Sequence, residues 1–266
     1  MPNFKDQKNG KIMINKIVDI SKEAGEIIRE GFGQNIKIDF KTGENNLVTE
    51  IDKKAENCII DFIKKEFPEH SILAEESGQS NGNSEYMWVI DPLDGTTNFA
   101  HGLPIFSVSI GLRKNRETIC GVIYDVMRDK VFAAEKGSGT FCNSEKISVN
   151  NNSRIEESLL VTGFPYEMEE KLDRSLDVFK QFLKKSRAVR RLGSAAIDLC
   201  YVANGVFDAF WEEKLNPWDV CAGMLIVEEA GGKICNFNGE KIDIYSKEIL
   251  ASNGKIEQKM LEIINF

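Results

Sequence analysis

Trp88-Val89-Ile90-Asp91-Pro92-Leu93-Asp94-Gly95-Thr96-Thr97-Asn98-Phe99 is the stretch that decides the reading of this chain. Three apolar residues lead into two carboxylates, Asp91 and Asp94, and a small, hydroxylic turn follows. A buried strand over Trp88 to Ile90 delivers Asp91 to its carboxyl end, where open α/β sheets hold their ligands. Pro92, which has no amide hydrogen to give a ladder, is expected to end that strand. Asp91, Asp94 and the carbonyl of Leu93 offer the hard oxygens that Mg²⁺ takes while leaving water positions open. Gly95 lets backbone approach a ligand closely, and the amides of Gly95, Thr96 and Thr97 can open a helix that points at an anion. The same string also makes an Asp-rich turn with an N-cap, because Asp, Gly and Thr suit both for local reasons. Residues elsewhere in the chain separate the two readings.

The 266 residues are enough for one large core or for two packed halves that share a site. Charged residues make up 29% and hydrophobic residues 42%, without a repeat or a low-complexity tract, so disorder and a solenoid are both disfavoured. Lys and Arg number 34 against 42 Asp and Glu, a formal charge of -8, which argues against a nucleic-acid surface. Arg187, Arg190 and Arg191 are too few to make a basic patch. No stretch has the apolar length of a signal peptide or a membrane span, so a cytoplasmic protein without a membrane partner is expected. Cys58, Cys120, Cys142, Cys200, Cys221 and Cys235 are scattered with no CxxC pair and read as reduced core thiols. With His70 and His101 alone, a zinc site or a His-based nucleophile lacks raw material, so the chemistry must run on carboxylates.

Apolar residues at helical spacing predict a first helix over Met13 to Phe32. Short strands are expected at Lys37 to Phe40 and Leu47 to Thr49, then a helix after Thr49 that ends before Pro68, with Asp52 in its first turn. Ser71 to Ala74 reads as a strand running into Glu75, and Gln79 to Glu85 as a loop. Phe106 to Leu112, Cys120 to Val126 and Lys130 to Glu135 suggest an antiparallel meander. The polar segment Ser148 to Glu157 marks an expected boundary between an N-terminal α+β half, residues 1–150, and a C-terminal α/β half, residues 151–266. In the second half, strands are expected at Leu159 to Thr162, Phe207 to Trp211, Lys233 to Cys235 and Ile249 to Ser252. Helices are expected at Leu172 to Lys185, Ser194 to Asn204 and Pro217 to Glu229. The alternation predicts an α/β or layered α+β fold. Asp219 falls in the first turn of that last helix, a favourable place for any carboxylate.

Four motifs occur in order: Leu47-Val48-Thr49-Glu50-Ile51-Asp52, Leu73-Ala74-Glu75-Glu76-Ser77, Asp91 to Phe99, and Trp218-Asp219 with Val227-Glu228-Glu229-Ala230-Gly231-Gly232. Together they resemble the inositol monophosphatase family of metal-dependent, lithium-sensitive sugar phosphatases, over a span from about Met13 to the C-terminus. The resemblance implies the α/β sugar-phosphatase fold with alternating α-β-α-β-α layers, a homodimer and two or three Mg²⁺ ions per site. It places one metal on Glu75, Asp91 and the carbonyl of Leu93, and another on Asp91, Asp94 and Asp219. Clustered carboxylates repel one another in a partly desolvated site, so cations are needed to keep all of them ionised. Two metals roughly 3.5 to 4 Å apart can activate a water and stabilise a leaving oxygen. The resemblance further gives Glu75 and Thr96 the orientation of the attacking water, Asp52 the acceptance of a hydrogen bond from Thr96, and the amides of Gly95 and Thr96 the phosphate. Ala195 and Glu212 match positions that contact the polyol, and Lys41 matches a basic residue near the metal loop. The implied substrate is a small phosphorylated polyol or sugar, with inositol 1-phosphate first. Thr162-Gly163-Phe164-Pro165-Tyr166 and Glu212 resemble the bacterial inositol monophosphatase branch more than the nucleotide-phosphatase branch. Asn216 stands where some animal members carry a histidine, which leaves the polyol preference open.

Fructose-1,6-bisphosphatase, 3′-phosphoadenosine 5′-phosphate phosphatase and NADP phosphatase activities share the same metal core. A haloacid dehalogenase phosphatase needs a single residue between its two acids, whereas Pro92 and Leu93 both intervene here. An EF-hand needs alternating oxygen ligands and a terminal Glu that Asp91 to Ala100 lacks. A regulatory protein that keeps the fold and acts through partners would tolerate loss of the acids, yet all five are present.

Overall fold

The computed structural model describes residues 10–34, 37–40, 47–164 and 172–266. The chain begins with α1 (Gly10–Gly31), the antiparallel pair β1 (Ile38–Phe40) and β2 (Leu47–Thr49), and α2 (Glu50–Glu66). Strands β3 (Ser71–Ala74), β4 (Gly78–Ser80) and β5 (Tyr86–Asp94) follow, then the short helix α3 (Thr96–Ala100). A meander of β6 (Ser107–Lys114), β7 (Glu117–Asp125), β8 (Lys130–Glu135), β9 (Gly139–Cys142) and β10 (Glu145–Ile147) completes the first sheet. Beyond it run β11 (Leu159–Thr162), α4 (Leu172–Lys185), β12 (Ala188–Arg190), α5 (Ala195–Ala203), β13 (Ala209–Glu213), α6 (Pro217–Glu229), β14 (Lys233–Cys235), β15 (Glu248–Ser252) and α7 (Glu257–Ile264).

The strands form an eight-stranded sheet in the order β10-β9-β8-β7-β6-β5-β3-β4 and a five-stranded sheet in the order β12-β11-β13-β15-β14. Helices α1 and α2 cover the outer face of the first sheet, α5 and α6 fill the space between the sheets, and α4 and α7 cover the second. These are the α-β-α-β-α layers expected from the sequence. Strand β5 shows why the stack holds. Trp88 and Ile90 are fully buried against α1 and α2, while Val89 between them is fully buried on the α5 and α6 side. A strand with period-two side chains must be apolar at every position to satisfy both faces, and each such side chain stabilises the fold by roughly 1.5–3 kcal/mol. The six cysteines are free thiols, four of them buried. Among the described residues no helix is long and apolar enough to cross a membrane.

One expectation is corrected at the motif itself. Pro92 does not end β5, which runs on to Asp94. The ladder with β6 pairs Asp91 with Ser109 and Asp94 with Ser107, and the register shifts between them. A bulge leaves residues outside the ladder, so the missing amide hydrogen of Pro92 costs no sheet bond there. The expected loop over Gln79 to Glu85 holds the short strand β4, and β13 starts at Ala209 rather than Phe207. Strands β9, β10 and β12 and helix α7 were not expected.

Candidate active site

Parallel pairing of β3 with β5 ends at Ala74 against Ile90, so the residues that follow, Glu75 and Asp91, lie side by side at the end of that pairing. The Glu75 amide donates to the Ile90 carbonyl at 3.2 Å, and the Glu75 and Asp91 side chains are hydrogen-bonded to each other. Past the bulge, Gly95 adopts φ 98°, and a Cβ there would lie 2.9 Å from the Ile105 carbonyl oxygen, so conformation and space both require glycine. Gly95 caps α3, which starts at Thr96, and His101 closes that helix. From the other side of the sheet comes α2. Thr49 caps it by accepting from the amides of Ile51 and Asp52, while the Asp52 carboxylate accepts from the Thr49 amide and hydroxyl. The other Asp52 oxygen lies 2.9 Å from the Thr96 hydroxyl, which is also 3.0 Å from the Leu93 carbonyl. Asp219 enters from the N-terminus of α6. The Ser109 hydroxyl donates to the Trp218 carbonyl, and Ser109 is the ladder partner of Asp91, so this helix start stands over the same sheet end.

Four carboxylates from three segments therefore face one cleft, and the charge of Glu75 makes Asp91, Asp94 and Asp219 harder to ionise. Asp91 is held well above the ordinary carboxylate range by burial first, then by Glu75, Asp94 and Asp219. Burial and Glu75 likewise hold Asp219 well up, with the Asn216 amide opposing. Asp94 rises only to about 6, because the Ser194 hydroxyl and the amides of Ala195 and Ala196 at the N-terminus of α5 offset its burial. Asp52 is raised by burial against the hydrogen bonds from Thr49 and Thr96. Among the described residues no three His, Cys, Asp or Glu side chains already form a closed cage around a point. All four acids nevertheless line one cleft, and carboxylates can be drawn onto an ion by rotation about their side-chain bonds. Among the described residues of the cleft wall every candidate metal donor is an oxygen, with no His or Cys, a set suited to Mg²⁺ rather than zinc.

The remaining wall comes from the second half of the chain. Gly163, Arg191, Ser194, Ala195, Asp198 and Glu212 line it, together with Leu215 and Asn216. The Glu212 carboxyl lies directly over Gly163, where a Cβ would stand 2.1 Å from its Oε2, so a larger residue there would push the carboxyl aside. The Ala195 amide is turned to Asp94, while the residue also lines the cleft. Lys41, Pro165 and Tyr166 lie outside the described residues. Sequence reasoning missed the places of Asp198, Arg191 and Glu56, and put Ser194 with Gly193 and Ala195 on the substrate side. Ser194 carried a local signal as the N-cap of α5, accepting from the Ile197 amide. Glu56, buried on α2, accepts from the amides of Glu76 and Ser77 at 2.8 Å each, and so fixes the turn that carries Glu75; nothing local to α2 announces this.

Glu212 allows a first prediction. Burial lifts its carboxyl to about 8, with Arg191 opposing and Asp94 adding, and Asp198 stands near it. A folded-state pKa raised above the unfolded value contributes stability that is fully present below about 4.5 and is lost as pH rises through about 8. In chelator, Glu212→Gln is therefore expected to raise Tm by several degrees at pH 8.5 and to leave it unchanged at pH 4, as read by thermal scans across that range. Parallel curves for the two proteins would show that Glu212 ionises freely.

The inositol monophosphatase family model matches residues 12–265. An inositol-1-monophosphatase of Synechocystis is 43% identical over 242 residues, covering 91% of this chain and 84% of that protein. A Nus factor SuhB of Pasteurella multocida is 40% identical and covers 95% of both. The solved structure of a Thermotoga maritima IMPase superposes with a TM-score of 0.89 at 37% identity, covering 95% of this chain and 96% of that one. With that match over nearly its whole length and the layered fold, this chain belongs to the inositol monophosphatase family, a family of metal-dependent phosphatases.

Proposed function

We propose that the chain is a Mg²⁺-dependent phosphomonoesterase whose first substrate is inositol 1-phosphate. The observation that carries this reading is the juxtaposition of four mutually repelling carboxylates with the Thr96–Asp52 hydrogen bond in one cleft. In this reading Glu75, Asp91 and the Leu93 carbonyl hold one cation, and Asp91, Asp94 and Asp219 another. Bound there, divalent metal supplies charge neutralisation, a more acidic water and stabilisation of the leaving oxygen.

The chain's own residues do the rest. The Thr96 hydroxyl has one hydrogen and two acceptors in reach; a carboxylate is the stronger, so it donates to Asp52 and leaves the Leu93 carbonyl for an ion. Its lone pairs then accept a hydrogen from the attacking water and fix that water's orientation, while Glu75 holds the water's other hydrogen. As the water attacks phosphorus and the bond from phosphorus to the alcohol oxygen breaks, the water's proton passes to Thr96 and that of Thr96 to Asp52, while the departing alcohol oxygen takes a proton from solvent water. The amides of Gly95 and Thr96 hold the phosphate oxygens. Glu212 accepts a hydroxyl of the alcohol, and Ala195 packs against it. The ligand candidates come from both residues 1–150 and residues 151–266, which supports reading these as two halves with the site between them.

The test is phosphate release from inositol 1-phosphate, fructose 1,6-bisphosphate, 3′-phosphoadenosine 5′-phosphate and NADP, with Mg²⁺ and with chelator. The highest kcat/KM is expected on inositol 1-phosphate, with all turnover lost in chelator. Release from none of them would overturn the reading. That outcome would favour a partner-binding protein that keeps the fold, a second reading supported by the name Nus factor carried by one relative.

A further inference from the structure

Asp198 is an acid of the cleft for which the proposed chemistry has no task. It sits in the first turn of α5, is 1% exposed, and lines the cleft. Its Oδ1 is buried and has no hydrogen-bond partner. The donors on its own turn are committed elsewhere: Ser194 and the amides of Ala195 and Ala196 all serve Asp94. A buried polar atom without a partner is a standing cost to the fold, so its retention points to a partner that arrives from outside.

The surroundings say what kind of partner. Glu212 and Asp94 both raise the Asp198 carboxyl, Arg191 opposes them, and burial is the largest influence. A neutral carboxyl offers an O–H donor and a carbonyl acceptor, the pair that complements an alcohol hydroxyl. An anion would meet three acids here against a single guanidinium, Arg191, among the described wall residues.

We infer that Asp198 is a specificity-determining residue whose unpartnered oxygen hydrogen-bonds a hydroxyl on the alcohol portion of the substrate, so that the site selects polyhydroxylated leaving groups over hydroxyl-free ones. This rests on the phosphatase reading above and goes beyond it by adding a second carboxyl, next to Glu212, on the alcohol side.

The experiment compares wild type, Asp198→Ala and Asp198→Asn on inositol 1-phosphate and on cyclohexyl phosphate, whose ring has the same size and no hydroxyl, with Mg²⁺ throughout. Asp198→Ala is expected to lower the inositol-to-cyclohexyl ratio of kcat/KM about tenfold, mainly through KM on inositol 1-phosphate. Asp198→Asn keeps a donor and an acceptor in place and is expected to hold that ratio within about threefold of wild type. Both variants should keep or raise Tm, because an unpaired buried acid is removed. A ratio unchanged in Asp198→Ala, equal losses on the two substrates, or a fall in Tm with loss of both activities would each overturn the assignment. If wild type releases phosphate from neither, the phosphatase reading fails first; if wild type prefers inositol 1-phosphate and Asp198→Ala keeps that preference, the Asp198 inference alone fails.

Discussion

Asp94→Asn is expected to lower kcat on the order of 10³-fold or more, since losing even an outer partner of a metal ligand costs about 10–100-fold. The fold should survive. Asp94 is nearly buried and its Oδ2 accepts from the Ser194 hydroxyl and the Ala196 amide, the latter at 3.0 Å. The amide oxygen of Asn can take those same donors, so the N-terminus of α5 keeps its anchor. What Asn cannot supply is the charge. In the proposed site Asp94 works with Asp91 and Asp219 on one cation, and its charge adds to that of Glu75 in holding up both of them. Replacing one carboxylate relieves that repulsion, so Tm in chelator should stay level or rise even as turnover disappears. Steady-state kinetics with Mg²⁺ and a thermal scan on the same preparation check both halves. A variant that turns over at the wild-type rate would remove Asp94 from the site, and one that melts far lower would make its role structural.

The parts of this site that were legible in the sequence are those set by local chemistry. Asp52 follows a capping Thr49, Asp219 follows Asn216-Pro217-Trp218 at a helix start, and Gly95 follows a strand, so each could be placed on its element from neighbours alone. The apolar faces of α1 and α2 and the meander from β6 to β8 were readable for the same reason, because periodicity reports burial directly. The rest depends on where distant segments meet. Asp198 reads as an ordinary first-turn acid until α5 is packed between two sheets, where the residue lines the cleft and one oxygen is left buried without a partner. Glu56 reads as a solvated helix acid until the turn after β3 lays two amides on it. Pro92 reads as a strand end because its missing amide hydrogen is a local fact, whereas the bulge that tolerates it belongs to the pairing with β6. The short strands β9, β10 and β12 have too few residues to show an alternation, and they exist because a sheet edge is there to receive them.

Thr96→Ala is expected to lower kcat by about 10²–10⁴-fold, the range that positioned proton transfer contributes, with KM changed little. The hydroxyl touches two groups, Asp52 and the Leu93 carbonyl, and neither is placed to bind the alcohol of a substrate. Ground-state binding is assigned to the Gly95 and Thr96 amides, which the alanine keeps, so the loss should fall on the step in which water attacks. Thr96→Ser restores the hydroxyl and should recover kcat to within about tenfold of wild type, the shortfall reflecting the freer rotation of serine about its first side-chain bond. Asp52→Asn tests the same link from the other side. Asp52 is fully buried and its second oxygen is held by the Thr49 amide and hydroxyl, so an Asn in its place keeps the cap of α2 but can no longer accept a proton through Thr96. If the two residues act as one relay, Thr96→Ala and the double variant with Asp52→Asn should be equally slow, because removing one member already breaks it. Additive losses in that cycle would mean that Thr96 and Asp52 act separately, and an alanine at position 96 with wild-type kcat would remove the hydroxyl from the chemistry altogether.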